Sequence, residues 1–173
     1  MNDRPTFEAL ALPHMDAAYN LARWLCRSPV EAEDIVQEAM LRAFRAFDGF
    51  RGENVRPWLM AIVRNCCRNR AADIRLRGHA ALPDEAVAPL RSEAPDPEEE
   101  SLRASERRRL EALIAELPED FREALILREM EDMSYRQIAE VTGAPIGTVM
   151  SRLARARALL RDKWLTEERH GLR

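Results

Sequence analysis

The stretch that decides the fold lies near the carboxyl end of the chain, where residues 134–163 read SYRQIAEVTGAPIGTVMSRLARARALLRDK. Ser134, followed three residues later by Gln137, is the capping-box pattern that begins a helix. Gly143 favours the left-handed backbone conformation that ends this helix. After a tight turn, the apolar spacing predicts a second helix over about 148–163. Two helices joined in this way predict a helix-turn-helix.

The second of these helices separates its apolar residues from its polar residues. Val149, Leu153 and Ala156 recur at the spacing of a buried stripe. The outward surface combines hydroxyl and guanidinium groups, which suit phosphates and guanine edges in a DNA major groove. The outward residues are Thr148, Met150, Ser151, Arg152, Arg155 and Arg161. An ordinary helical hairpin with a solvated arginine face is the competing interpretation.

Toward the amino end, the sequence also has the pattern of consecutive helices. Ser28 caps a helix that is predicted over 29–47, with a proline at its first position. Similar apolar stripes run over 15–26 and 59–66. Residues 6–77 therefore predict a compact bundle of three or four helices.

Two further helices are predicted before the helix-turn-helix. Asp96 begins one of them, and Pro118 opens the next. The inward residues of these two helices are Leu110, Leu113, Ile114, Leu117, Phe121, Ala124 and Leu125. No strand-like alternation occurs in the sequence, so the predicted fold class is all-α.

A change of composition separates the two helical parts of the chain. Residues 79–97 lack an apolar pattern and contain four prolines. Residues 79–100 carry one basic and seven acidic residues, a net charge of −6, whereas 134–173 carry a net charge of +4. We expect a flexible acidic linker over 79–100, joining two small helical domains, 1–78 and 101–173, that are separable in the free protein.

Length and composition exclude several classes of protein. A chain of 173 residues is too short for a large multidomain enzyme. No apolar run approaches the ~20 residues of a membrane span, so we expect a cytoplasmic protein without membrane insertion. Cys26, Cys66 and Cys67 have neither the number of a disulfide framework nor the spacing of a zinc site, which indicates small core residues.

The sequence gives no support for an enzyme. It has no nucleophile with histidine and acid partners, no glycine-rich phosphate loop and no metal-ligand spacing. We therefore expect no catalytic residues, no metal, no cofactor and no small-molecule substrate.

Several segments stand in a fixed order along the chain. They read AEDIVQEAMLRA over 32–43, PWLMAIVRN over 57–65, LP over 117–118, SYRQIA over 134–139 and GTVMSRL over 147–153. Together they resemble the extracytoplasmic-function (ECF, group 4) sigma factors of the sigma-70 family, over nearly the whole chain. The resemblance implies a bacterial initiation factor with two domains. The first would be a sigma region 2 bundle that docks on RNA polymerase and opens the −10 promoter element, and the second a sigma region 4 helix-turn-helix that reads the −35 element.

The resemblance also assigns roles to individual residues. Asp34, Gln37, Glu38 and Leu41 match the polymerase-docking helix, where the first three share one helix face. The loop over 48–56 matches the loop that accepts an extruded base, which requires stacking surface and nearby cations. The residues assigned to the −10 element are Arg56, Trp58, Arg64, Asn65 and Arg68. Those assigned to the −35 element are Arg136, Thr148, Met150, Ser151, Arg152 and Arg155.

The implied partners are bacterial RNA polymerase core, promoter DNA and an anti-sigma factor. One alternative is a sigma-like decoy that binds an anti-sigma protein but not DNA, and another is a plain helix-turn-helix regulator that does not support initiation. Arg152 and Arg155 are intact, which favours DNA binding over the decoy. Met150 departs from the Lys or Arg common in the family and could contact a thymine methyl group.

Overall fold

The computed structural model describes residues 6–26, 28–77 and 97–171, and it contains no strand over these ranges. The all-α prediction is therefore confirmed. The described residues form eight α-helices, α1 (Phe7–Ala11), α2 (Met15–Leu25), α3 (Pro29–Ala46), α4 (Val55–Leu76), α5 (Pro97–Ala115), α6 (Glu119–Glu129), α7 (Tyr135–Thr142) and α8 (Ile146–Gly171). Short 3₁₀ segments, Leu12–His14 and Phe47–Gly49, follow α1 and α3. Most of the predicted linker lies outside the described residues.

Side-chain caps begin several of these helices where the sequence predicts them. The Ser28 hydroxyl accepts a hydrogen bond from the Glu31 amide at 3.1 Å, and Pro29 takes the first position of α3. Ser134 and Gln137 form the complete reciprocal capping box at the start of α7. Gly143 has a φ of 69°, in the left-handed region that glycine adopts without strain.

The amino half of the structure is a bundle in which α2, α3 and α4 pack against one another. The inward stripe of α3 is buried as its spacing predicts, and it includes Ile35, Val36 and Ala39. Leu59 and Val63 of α4 are fully buried. Each large apolar side chain removed from water in this way stabilises the fold by roughly 1.5–3 kcal/mol.

The carboxyl half contains α5 to α8, with the helix-turn-helix formed by α7 and α8. Leu113 of α5 is buried as predicted, but Leu110 is exposed. One turn before Leu113, the surface of α5 that faces α8 is covered by Arg109, whose guanidinium lies 4.1 Å from the centre of the Trp164 ring. Helix α8 also continues well beyond the predicted end near residue 163, to Gly171.

The two halves pack against each other in this structure. Helix α4 contacts α7, helix α2 contacts α6, and a single core includes buried residues of both halves. The amino-half members include Leu21 and Met60, and the carboxyl-half members include Ile126 and Ile138. The physical reason is that α2 and α4 carry apolar surface beyond what α3 covers, and α6 and α7 remove this surface from water.

Within the described ranges, no helix combines the length and the apolar character needed to cross a bilayer.

Candidate polymerase and nucleic-acid interfaces

The outer face of α3 brings together the four residues assigned to polymerase docking. Asp34, Gln37, Glu38 and Leu41 are all exposed, on the side of α3 opposite its buried stripe. Leu41 is 57% exposed. Glu38 forms an ion pair with Arg42 one turn away, which leaves the face with an acidic and amide surface around an apolar centre.

Sequence reasoning missed one residue of this face. Phe44 lies three residues beyond Leu41, is 58% exposed, and sets its ring edge-on against Phe7 with 5.5 Å between ring centres. The signal was present, because Phe44 falls outside the buried stripe of α3 although it is a large apolar residue. We call the surface formed by Asp34, Gln37, Glu38, Leu41 and Phe44 the α3 face.

An aromatic row lies at the start of α4, where the resemblance places the site for an extruded base. The rings of Phe50 and Trp58 are 4.8 Å apart between centres, and Phe50 stacks on Phe47 at 6.3 Å. Gly52 allows this arrangement, since a Cβ atom there would lie 2.8 Å from the Phe50 ring. Trp58 is predicted from the sequence, but the stacking of Phe47 on Phe50 is not.

Several arginines of α4 pair with carboxylates of the carboxyl half. Arg56 donates a hydrogen bond to Glu131 at 2.9 Å. Arg64 pairs with Glu123, and both side chains are buried. Of the residues assigned to the −10 element, Asn65 is exposed and Trp58 is half-buried.

Arg64, to which the resemblance assigns a DNA contact, is enclosed between the two halves in this structure. Arg64 is only 8% exposed and faces the other half of the molecule instead of solvent. A guanidinium with this little access to solvent needs a carboxylate partner, because an unpaired buried charge is very costly.

Arg68 and Arg152 share one carboxylate between them. Asp120 accepts a hydrogen bond from Arg68 of α4 on one oxygen and from Arg152 of α8 on the other, each at 2.6 Å. Glu119 adds a longer contact to Arg68, at 3.4 Å. Charged hydrogen bonds of this kind are about twice as strong as neutral ones. We call Glu119, Asp120, Glu123 and Glu131 the acidic strip.

The electrostatics of the acidic strip differ from one carboxylate to the next. Burial raises the pKa of the Glu123 carboxyl, and the hydrogen bond from Arg64 acts against that shift. Glu131 is 6% exposed and accepts hydrogen bonds from both Arg56 and Asn20. Sequence reasoning did not find this strip, since charge alone does not tell which carboxylate a distant arginine will meet.

The first turns of α8 leave most of the predicted −35 residues accessible. Met150, Ser151 and Arg155 are exposed, and Thr148 is half-buried. The Arg136 side chain, on α7, is 85% exposed and lies 3.6 Å from Glu140. Arg152 differs from Arg136 in that its carboxylate partner, Asp120, lies on another helix and is only 2.6 Å away.

In the ranges that the structure describes, no three His, Cys, Asp or Glu side chains are grouped so that they could hold a metal ion.

Comparison with known proteins decides the family. The family Sigma-70 region 2 matches residues 10–77, and the family Sigma-70, region 4 matches residues 107–160. The ECF RNA polymerase sigma-E factor of Haemophilus influenzae is 34% identical over 169 residues, which cover 93% of this chain and 88% of that protein. This chain belongs to the extracytoplasmic-function sigma factors.

Other similar proteins support the assignment of this chain to the sigma factors. The RNA polymerase sigma-H factor of Pseudomonas aeruginosa is 35% identical over 174 residues, covering 94% of this chain and 88% of that protein. The sigma factor RpoE of Bartonella quintana, solved in complex with the anti-sigma factor NepR, superposes with a TM-score of 0.70 at 28% identity. That match covers 87% of this chain and 91% of the other. The identification made from the ordered sequence segments is confirmed.

Proposed function

We propose that this sigma factor binds core RNA polymerase through the α3 face, opens the −10 element at the start of α4, and reads the −35 element with α7 and α8. The observation that carries the proposal is the helix-turn-helix, whose second helix begins with an accessible surface of hydroxyl and guanidinium groups. Such a surface matches the phosphates and base edges of a major groove.

The α3 face supports the docking role through its chemistry. It combines exposed carboxylates with Leu41 and Phe44, two large apolar side chains that a monomeric surface rarely leaves together in water. An interface needs an apolar centre with a polar rim, and this face provides both on one rigid helix. The carboxylates suit a partner surface that carries basic or amide groups.

The aromatic row supports the melting role. Extruding a base from the stack costs a few kcal/mol, which stacking on an aromatic ring offsets by about 1–3 kcal/mol per base. Phe50 and Trp58 supply the rings, and Asn65 supplies an exposed amide on the same helix as Trp58. Arg56 lies two residues before Trp58, where its charge would attract the phosphates of a separated strand.

The acidic strip implies that the two halves separate before promoter DNA is bound. In this structure Arg56, Arg64, Arg68 and Arg152 are paired with protein carboxylates. Phosphates and carboxylates compete for the same guanidinium groups, so DNA contact by these residues requires the carboxylates to withdraw. Docking of the α3 face on polymerase would provide the binding energy for this opening.

We assign residues 1–78 to the −10 domain, 101–173 to the −35 domain, and 79–100 to the linker between them. An anti-sigma factor is proposed as the regulator, supported by the solved complex of the similar RpoE with NepR. The sigma factor works in the cytoplasm, where polymerase and chromosome are found. It contributes binding, while the polymerase performs the chemistry.

Two binding measurements test the proposal against its alternatives. The chain is passed over a sizing column with core polymerase, and promoter binding is then measured with the chain alone and with the mixture. We expect co-elution, and specific DNA binding by the mixture that is at least tenfold tighter than by the chain alone. Equally tight binding without core would indicate a plain helix-turn-helix regulator. Absence of DNA binding in both samples would indicate a decoy.

A further inference from the structure

Two thiols lie in contact where α2 ends. The Sγ atoms of Cys26 and Cys67 are 3.5 Å apart, although the residues are 41 positions apart in the sequence. Cys26 is half-buried and follows the last residue of α2 in an extended conformation, with φ −104° and ψ 166°. Cys67 is buried inside α4. The fold itself therefore brings together one accessible and one inaccessible sulfur.

We propose that Cys26 and Cys67 are a modification site, at which hydrogen peroxide or an organic hydroperoxide produces an intramolecular disulfide. From the sequence alone, all three cysteines are predicted to be small core residues, and all three are free thiols in the structure. The proposal rests on the contact between the two sulfur atoms and on their unequal access to solvent.

The reaction proceeds in two balanced steps. The Cys26 thiol attacks one oxygen of hydrogen peroxide, the O–O bond breaks, and sulfenic acid and water form. The Cys67 sulfur then attacks the Cys26 sulfur, the S–OH bond breaks, and hydroxide leaves as water with the Cys67 proton. Overall, two thiols are oxidised to one disulfide, and one peroxide is reduced to two water molecules.

The surroundings of the sulfur atoms assign the first step to Cys26. The contact with Cys26 and burial both raise the pKa of the Cys67 thiol, so Cys67 is held protonated in the reduced protein. Burial also raises the pKa of the Cys66 thiol. Oxidation begins at an accessible sulfur, and among the three cysteines Cys26 is the one that reaches solvent.

The geometry allows the bond with a small local movement. A disulfide requires about 2.05 Å between sulfur atoms, so the two must approach by about 1.5 Å. Cys26 can supply this movement because it belongs to the connection between α2 and α3, not to a helix. Cys66 precedes Cys67 on α4, where Glu38 and Arg42 of α3 are the charged groups near it. Cys66 therefore serves as the control for position, because it is a free thiol like Cys67 on the same helix.

The disulfide would enclose functional parts of the amino half. The covalent loop over 26–67 contains all of α3 and the aromatic row. A cross-link of this length restricts the unfolded chain, so the oxidised protein should melt at a higher temperature than the reduced protein. The disulfide would link the end of α2 directly to α4, and no partner protein or ligand is needed for this link.

The experiment uses the full chain, treated with a small excess of hydrogen peroxide and compared with a sample kept in dithiothreitol. We expect free thiols in denaturant to fall from three to one, and the intact mass to fall by the two hydrogen atoms lost when the disulfide forms. A non-reducing digest should show a peptide linking Cys26 to Cys67. The melting temperature should rise by several degrees and return on reduction.

Matched variants complete the test. C66S should still lose two thiols, whereas C26S and C67A should form no intramolecular bond. Circular dichroism checks that each variant is folded. The digest of the wild-type chain tests the disulfide directly, even if a variant does not fold. Retention of three thiols, a bond that involves Cys66, or sulfinic acid at Cys26 without a disulfide would each overturn the proposal.

Discussion

Arg152 on α8 donates a hydrogen bond to Asp120 on α6 at 2.6 Å. The second oxygen of the same carboxylate accepts a hydrogen bond from Arg68 of α4. One side chain therefore joins residues that we assign to the −35 element and to the −10 element. Withdrawal of Asp120 would free both arginines at once.

The first prediction concerns this shared carboxylate. D120N removes the charge that competes with DNA phosphates, so the free protein should bind promoter DNA about 3–10-fold more tightly. D132N makes the same chemical change at a carboxylate that is almost fully exposed and 3.9 Å from Arg128. Fluorescence anisotropy at one fixed salt concentration measures both. Equal affinities for the two variants would show that Asp120 does not block DNA.

The second prediction concerns pH and Glu123. Its unfolded-state pKa is near the ordinary 4.5, and burial raises the folded-state pKa above this value. Just above pH 4.5 the folded state therefore binds more protons than the unfolded state. The resulting stabilisation is fully present at lower pH and is lost as pH rises through the folded-state pKa of Glu123. We expect the stability of the wild type relative to E123Q to fall between pH 4.5 and 7.

Urea denaturation at several pH values in that window measures this difference. E129Q is the matched control, because Glu129 is an exposed glutamate of the same helix. If the free energy of unfolding of the wild type relative to E123Q stays constant or grows with pH, the raised pKa of Glu123 is contradicted.

The third prediction concerns docking on polymerase. D34K combined with E38K reverses two charges of the α3 face, and we expect binding to core polymerase to weaken at least tenfold. Both side chains are more than half exposed, so thermal stability should change little. D73K combined with E106K makes an equal charge change at exposed positions elsewhere and should bind normally. A folded D34K and E38K variant with full affinity would exclude the α3 face.

The fourth prediction concerns the reading of the −35 element. R155A should cost about 1–3 kcal/mol of promoter binding if Arg155 contacts a base, with the loss confined to one promoter position. R157A is the control two residues along α8, where the guanidinium pairs with Glu129. Transcription from promoters with single base changes separates the cases. A loss spread evenly over all promoters indicates a phosphate contact, and no loss in R155A contradicts the DNA role.

The helices could be predicted because their signals are local. The capping pair of Ser134 and Gln137, the left-handed Gly143 and the buried stripe of α3 each depend on residues within one or two turns. The outward positions of α3 and α8 follow from the same periodicity. These features therefore appear in the structure where the sequence places them.

The packing of the two halves depends on contacts that no local pattern specifies. Arg64 meets Glu123 across 59 residues, and Arg56 meets Glu131 across 75. Periodicity identifies these arginines as polar positions on α4 but does not select their partners. For the same reason, the contact between Cys26 and Cys67 is visible only in the folded chain.

The central claim is that this sigma factor selects promoters for RNA polymerase. The most direct measurement is transcription in vitro from fragmented genomic DNA, with bacterial core polymerase alone and with core plus the chain, followed by sequencing of transcript 5′ ends. The account predicts new start sites that require the chain and share two upstream elements at a fixed spacing. Start sites that are identical with and without the chain, from a preparation in which the chain is shown to be bound to core, would contradict it.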